Sequence, residues 1–441
     1  MQTPTGSGEP TSAGRVKSYL SNMGPSWVAG AIAAGPATMG SLITAGGAFG
    51  YELFWVVVLS AVAGAFAQYL AMRLGLLTER GIVGVVEDQL GDTWAWLLVL
   101  DVVVAAGAAQ LLIMKTVAGV SATVTGVDSR IWGVVWAGIL AVGLATRGYR
   151  FLEVAAKLLV SGVVVAFVAS LFVVPIDSTA AVSGLVPSLP SGSALVAAGI
   201  LGGAVHITLI TMHSYTMRAR GWTDDDSDLA TFDVVASMLV AFGTYSVAIY
   251  LVTASVLTTG DLSTVEAAQA LGPLAGPFAK SLFLVGLLGA AVSTLGANTI
   301  VPPFLLADKL GWGTTVEDDR YRGLLVVAAL LSAPGAFIGG PVLSQLALVL
   351  AIGTVGTPFA IAVVLYLLNS VAVPESNSAL ANLAGLALLF VSGTLAANFV
   401  REQVAAGISP LSGAILLFAV VLGLGTLGVF GKFIYREGAP A

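Results

Sequence analysis

Apolar stretches of about 20 residues or more recur about twelve times along this chain, each long enough for a hydrocarbon core about 30 Å thick. They fall near residues 25–50, 52–76, 94–120, 130–146, 151–175, 193–218, 229–257, 276–306, 322–340, 342–369, 378–400 and 411–434. Backbone inside a bilayer must satisfy its own hydrogen bonds, so these stretches predict spans 1 to 12 of an all-α polytopic membrane protein. Composition agrees. Of 441 residues 57% are hydrophobic and 10% charged, with a mean hydropathy of +0.96, which excludes a water-soluble globule of ordinary surface.

Span 1 is interrupted halfway, at Gly35-Pro36-Ala37-Thr38. Pro36 removes a backbone donor and clashes one turn back, and its small neighbours supply no packing to carry a helix through the fault. Two half-helices are expected. Unwound backbone at mid-membrane depth is tolerated where protein or a water-filled cavity satisfies it, so the break points to a binding cavity. Five spans later, span 6 carries Gly199, Gly202 and Gly203, then the polar run His206, Thr208, Thr211, His213 and Ser214. Those glycines serve either close helix packing or a second break. Paired interruptions predict two inverted halves, residues 23–176 (spans 1–5) and 190–370 (spans 6–10), with spans 11 and 12 (376–436) peripheral.

Lysine and arginine set the orientation. With twelve spans and a cytoplasmic N-terminus, the inside carries Arg15, Lys17, Arg73, Arg80, Arg147, Arg150, Arg218, Arg220, Lys309, Arg320, Arg322, Lys432 and Arg436, and the outside only Arg130 and Arg401. This bias predicts a multi-pass cell-membrane protein with both termini cytoplasmic. Residues 1–22, rich in Gly, Ser, Thr and Pro, read as a disordered cytoplasmic tail and not a signal peptide.

Ionisable groups inside spans are functional candidates by default. Lys115 lies midway along span 3, nearly four turns from Asp101, so another span or a substrate group must neutralise it unless it sits uncharged. Glu153 and Lys157 form a local i,i+4 pair, and Asp233 and Lys280 read as interfacial anchors. His206 and His213 are the only histidines, about 10 Å apart on one face if the helix is intact, too far to share a metal. His206, beside the suspected break, is either a packing residue or a site residue; His213 reads as hydrogen-bonded in the bundle interior. The acidic runs at 224–228 and 317–319 read as solvated helix-start charges.

Several function classes are excluded. The net charge of −6 leaves no basic footprint for nucleic acid, and the absence of cysteine excludes disulfides and thiolate ligands. No phosphate loop, nucleotide fingerprint or nucleophile elbow occurs, so neither an enzyme nor an ATP-driven pump is indicated, and no cofactor is expected.

A set of motifs carries a resemblance: two GP pairs at Gly24-Pro25 and Gly35-Pro36, AGGAFGYELFWVVVLS, QYLAMRLG, GYRFLE at 148–153, MHSYTMRARG ending span 6, LVGLLGAAVSTLGANT in span 8 and LSQ at 343–345. Over residues 24–370 the chain resembles the NRAMP family of divalent metal transporters. The resemblance implies a LeuT-type fold, two inverted five-helix repeats with alternating access about spans 1 and 6. It also implies the places of family ligands, and here the chain departs. The span 1 motif Asp-Pro-Gly-Asn reads Gly35-Pro36-Ala37-Thr38, and the span 6 Met-Pro-His matches His206-Ile207-Thr208, with the carbonyl ligand at Gly203 and the later histidine at His213. Anchoring the first span 3 acid on Asp101 places Ala108 and Leu111 where two proton-path acids would stand, and the span 10 glutamine becomes Gly356.

A dehydrated dication without carboxylates is disfavoured, whereas a hydrated one, or a small organic solute such as an amino acid, demands less. The function expected is a secondary transporter of a divalent metal cation, hydrated or not, with weak or absent proton coupling. A gradient-coupled organic-solute carrier and a non-transporting membrane sensor or scaffold stand as alternatives. Gly35, Ala37, Thr38, Ser41, Gly203, His206, Thr208 and Thr211 are the expected substrate contacts, with Thr38 and His206 as metal ligands and Asp101, Lys115 and His213 as coupling or gating groups. The expected partners are the lipid bilayer, the small substrate and a coupling ion.

Overall fold

The computed structural model describes residues 18–19, 22–257, 279–405, 407 and 410–438; side chains at 148–163, 166, 170, 279–283, 343, 344, 347, 410–412 and 436–438 fall outside that description. The expected 1–22 tail lies almost wholly outside the described residues. So do the side chains of Glu153, Lys157 and Lys280.

The described residues are helical, with no strand among them. Span 1 is a pair, α1 (Pro25–Ala33) and α2 (Pro36–Phe49), bent by 45°. Each half begins on a proline, whose missing N–H is harmless in the first turn. Then follow α3 (Phe54–Thr78), a short amphipathic α4 (Ile82–Leu90) and α5 (Asp92–Thr125). Next come α6 (Ser129–Leu171) and the single turn α7 (Ser178–Ser183). Span 6 is α8 (Ala194–Ala204) and α9 (Ile207–Arg220). Span 7 is α10 (Ser227–Val234), a π-helical stretch Val235–Phe242 and α11 (Gly243–Val256). The chain closes with α12 (Ala279–Lys309), α13 (Asp319–Leu330), α14 (Val342–Leu368), α15 (Ala379–Ala405) and α16 (Pro410–Gly438). Among the described residues nine helices are long and apolar enough to cross a membrane, and the bent pair makes a tenth.

The broken spans each run alongside the second span of the other half. Gly30 meets Ser237 and Gly46 meets Thr253, so span 1 and span 7 advance in step; Gly64 meets Ala204 and Gly75 meets Ser214, so span 2 and span 6 do the same. Span 6 is the centre of the bundle: 94% of its apolar window is buried, against 33% for α15 and 22% for α16, which makes the last two helices peripheral.

Contacts between helix ends sort the loops onto two faces, as the parity of twelve crossings requires. On one face Lys309 Nζ donates to Glu87 (2.9 Å) and Asp92 (2.6 Å), Tyr215 OH donates to Asp308 (2.7 Å) and Arg73 approaches Glu375 (3.9 Å). On the other, Lys115 reaches the 339–340 loop, the Arg130 guanidinium lies 5.9 Å from the Phe337 ring centroid, and Tyr51 OH lies 2.7 Å from Ser255 Oγ and accepts from Asp177 N (3.2 Å).

Two crossings differ from expectation. Spans 4 and 5 are one helical run, α6, because no proline falls in it and its glycines do not stop the ladder. Its first part, Ser129–Arg147, is by itself long and apolar enough to cross a membrane. Span 9 is only the 12-residue α13, closed by Pro334 in the tighter turn Ala333–Phe337. The helix-start reading of the acidic runs agrees with Asp318 capping α13 and with the Thr223–Asp226 capping box.

Asp233 is not an interfacial anchor. It is fully buried on span 7 and accepts from Gly24 N (2.9 Å) and Ser26 N (2.7 Å), capping α1 from outside its own helix. Orphaned N–H groups at a buried helix start are costly, which explains a carboxylate at that depth. Asp233→Ala is therefore expected to lower unfolding stability by about 1–3 kcal/mol, with Asp233→Asn recovering part of it. Thermal unfolding in detergent checks this; an unchanged midpoint for the alanine variant would contradict it.

Candidate functional site

The two breaks have the same backbone form. Gly35 opens α2 at φ −72°, ψ 174°, and His206 opens α9 at φ −74°, ψ 143°. Both are extended residues that turn the chain before a new helix starts. Span 6 breaks at Val205–His206, two residues beyond the glycines. Gly202 and Gly203 serve packing: a side chain at 202 would strike Thr354, and one at 203 would strike Thr38.

Each break frees carbonyls that hydroxyls from other spans capture. At span 1, Thr294 Oγ1 donates to Ala31 O (2.7 Å) and Tyr245 OH to Ala34 O (3.0 Å). At span 6, Thr357 Oγ1 donates to Val205 O (2.6 Å). A carbonyl oxygen has two lone pairs, so each retains acceptor capacity for a ligand.

Thr38 and Gly203 touch, which joins the two broken spans at their centre. Ala37 packs with Leu346 and Leu350 of α14. Ser41 and Thr211 turn their hydroxyls back on their own helices, to Ala37 O (3.1 Å) and Ile207 O (2.9 Å). His206, 3% exposed, places Nδ1 2.8 Å from Thr208 Oγ1 and accepts weakly from Thr208 N at 3.4 Å. Its Nε2 is buried without a partner among the described residues and abuts Gly353 of α14.

The three expected coupling or gating groups are not together. Asp101 is fully buried; among the described residues both carboxylate oxygens lack a hydrogen-bond partner, and they lie against Gly356, one turn from Gly353. Lys115 lies on α5 about 21 Å further along. No acid among the described residues neutralises it: it donates to Gly339 O (2.9 Å), Gly340 O (2.7 Å) and Gln345 Oε1 (2.6 Å), holding the turn before α14. His213 places Nδ1 3.1 Å from Leu209 O and Nε2 3.4 Å from Ser26 Oγ, the interior hydrogen bonding expected of it.

Two interior amides escaped the sequence reading. Gln68 is fully buried with both amide atoms unpartnered among the described residues, and the register of α3 against span 6 puts it level with Thr208. Asn298, one turn along α12 from Thr294, has its Oδ1 unpartnered. A lone polar residue within an apolar run was the available signal for each.

The profile described as natural resistance-associated macrophage protein-like (Nramp) matches residues 26–402. The divalent metal cation transporter MntH of Mycobacterium tuberculosis (strain ATCC 25618 / H37Rv) is 28% identical over 371 residues, covering 80% of this chain and 84% of that one. The crystal structure of the Eremococcus coleocola manganese transporter, in complex with an aromatic bis-isothiourea compound, superposes with a TM-score of 0.74 at 16% identity over 98% of this chain and 96% of that one. MhsT in complex with L-phenylalanine gives 0.56 at 15% identity over 95% and 100%. These likenesses establish the LeuT-type fold.

Thr357→Val removes the hydroxyl that serves Val205 O while keeping the side chain's volume. The expected loss is about 1–3 kcal/mol of stability, the cost of an orphaned buried acceptor. It is read as a lower thermal midpoint, and an unchanged midpoint would mean that the carbonyl finds another donor.

Proposed function

The chain belongs to the Nramp family, and from that premise we propose that it carries a divalent metal cation across the membrane by alternating access about the breaks in spans 1 and 6. The single observation that supports this most is the meeting of the breaks: Gly35 and His206 open α2 and α9 in the same extended form, with Thr38 packed on Gly203 between them. The carbonyl ends of α1 and α8 converge there, and helix C-termini carry the partial negative charge that favours a cation.

The substrate contacts we propose are Gly35, Ala37, Thr38, Ser41, Gly203, His206, Thr208 and Thr211, with His206 Nε2 and the Thr38 hydroxyl as metal ligands. Hydroxyl, carbonyl and imidazole are neutral donors, so a dication resting on them alone keeps part of its water shell. Proton coupling is weak or absent in this reading, supported by Ala108 and Leu111 on α5, which have no ionisable group. Sorting of the loops onto two faces, with the lysine and arginine bias, supports a plasma-membrane protein with both termini cytoplasmic. The interlocked register of spans 1 and 7 and of spans 2 and 6 supports repeats over 23–176 and 190–370, with 376–436 outside them. The organic-solute and scaffold alternatives are not favoured: the MntH relatives are named divalent metal cation transporters. No enzymatic activity is expected.

Uptake into proteoliposomes loaded with a metal-quenched dye and a pH dye tests the proposal. Mn²⁺ should enter saturably with little acidification, and His206→Ala should slow it by at least the order of tenfold that loss of an outer-shell partner produces. Absence of both Mn²⁺ and Mg²⁺ entry would overturn the metal reading; acidification in step with uptake would overturn the weak coupling.

A further inference from the structure

We propose that Asp101 of span 3 supplies the missing negative charge, and that its carboxylate and His206 Nε2 together ligate the divalent cation against the Gly353/Gly356 face of α14. This rests on the metal-transport reading above and adds a ligand from outside the two broken spans. Within the described residues, the only carboxylates in the interior of the spans are Asp101 and Asp233, and Asp233 is committed to the start of α1. Asp101 has no such commitment. Both its oxygens are buried without a donor, and so is Nε2 of His206. A buried carboxylate with neither donor nor counter-charge is strongly disfavoured, and two orphaned groups on one face mark a place where something else completes the set.

The α14 backbone makes room for both. A side chain at 353 would occupy the space of the His206 imidazole, and one at 356 the space of the Asp101 carboxylate. The two glycines are three residues apart, about one turn of α14, so the imidazole and the carboxylate lie against neighbouring positions of one helix, and a cation between them takes both as ligands. Only glycine, at both positions, lets these side chains reach the same face of one helix. His206 is oriented for this use. Ligation through Nε2 requires the tautomer with the ring proton on Nδ1, which then donates to Thr208 Oγ1 at 2.8 Å and gives up the weak 3.4 Å contact with Thr208 N; the Nε2 lone pair then faces α14, the usual outer-shell arrangement of a metal-binding histidine. One carboxylate and one imidazole suit a borderline divalent ion such as Mn²⁺ better than Mg²⁺, which prefers an all-oxygen shell.

Mn²⁺ titration of the purified full-length chain by calorimetry, together with its thermal unfolding with and without Mn²⁺, tests this. Wild type should bind and be stabilised. Asp101→Asn should weaken binding at least tenfold and abolish the Mn²⁺-induced shift while leaving the metal-free midpoint unlowered, and Asp101→Glu should keep part of the affinity. Gly356→Ala, whose methyl displaces the carboxylate, should weaken binding as well. His206→Gln should move the preference from Mn²⁺ toward Mg²⁺, a change that a purely structural role would not produce. Binding by Asp101→Asn and Gly356→Ala within twofold of wild type, or an unchanged metal preference in His206→Gln, would overturn the assignment while leaving metal transport standing. A wild-type chain that binds no divalent cation would overturn both.

Discussion

Breaking a helix inside a bilayer frees backbone groups that water cannot reach, and this structure is arranged around meeting that demand twice. Tyr245 and Thr294 serve the carbonyls at the end of α1, and Thr357 serves Val205 O where α8 ends. Asp233 serves the N–H groups at the start of α1. Each donor comes from a span that must lie within hydrogen-bond distance of a broken one, so the breaks fix the positions of spans 7, 8 and 10. The fold and the site share one cause.

The same contacts bear on motion. Hydroxyl-to-carbonyl bonds are short-range and individually worth about 1 kcal/mol, so a broken span can exchange one acceptor for another without large loss. The two faces of the bundle are held differently. One face is closed by charged pairs at Lys309 and a tyrosine–carboxylate contact at Asp308; the other is closed by Lys115 on neutral carbonyls, the Arg130–Phe337 contact and the Tyr51–Ser255 bond. Alternating access needs closures at both ends that can release in turn, and polar contacts that water can replace meet that need better than apolar packing.

Much of this was legible in the sequence. The apolar runs and Pro36 gave the class, the first break and its exact backbone cause, because proline acts locally. The glycines of span 6 leave packing and a break equally open, since glycine in a membrane helix serves close approach as readily as unwinding; the break lies at Val205–His206, just beyond them. Lys115 looked like a charge in search of an acid; three neutral acceptors more than 200 residues away, two on the 339–340 turn and one on the first turn of α14, satisfy it. Asp233 looked interfacial because sequence depth says nothing of a partner on another span. Asp101 stood out as a buried acid, but its place against Gly356 depends on packing between spans 3 and 10, which no local pattern encodes.

The account holds that a divalent cation rests where the two breaks meet, between spans 1, 3, 6 and 10. Anomalous diffraction from crystals of the full chain grown with Mn²⁺ locates the ion directly. The account predicts a peak within the bundle beside His206 and Asp101. A peak confined to the acidic loops at 224–228 or 317–319, with none in the bundle, would contradict it.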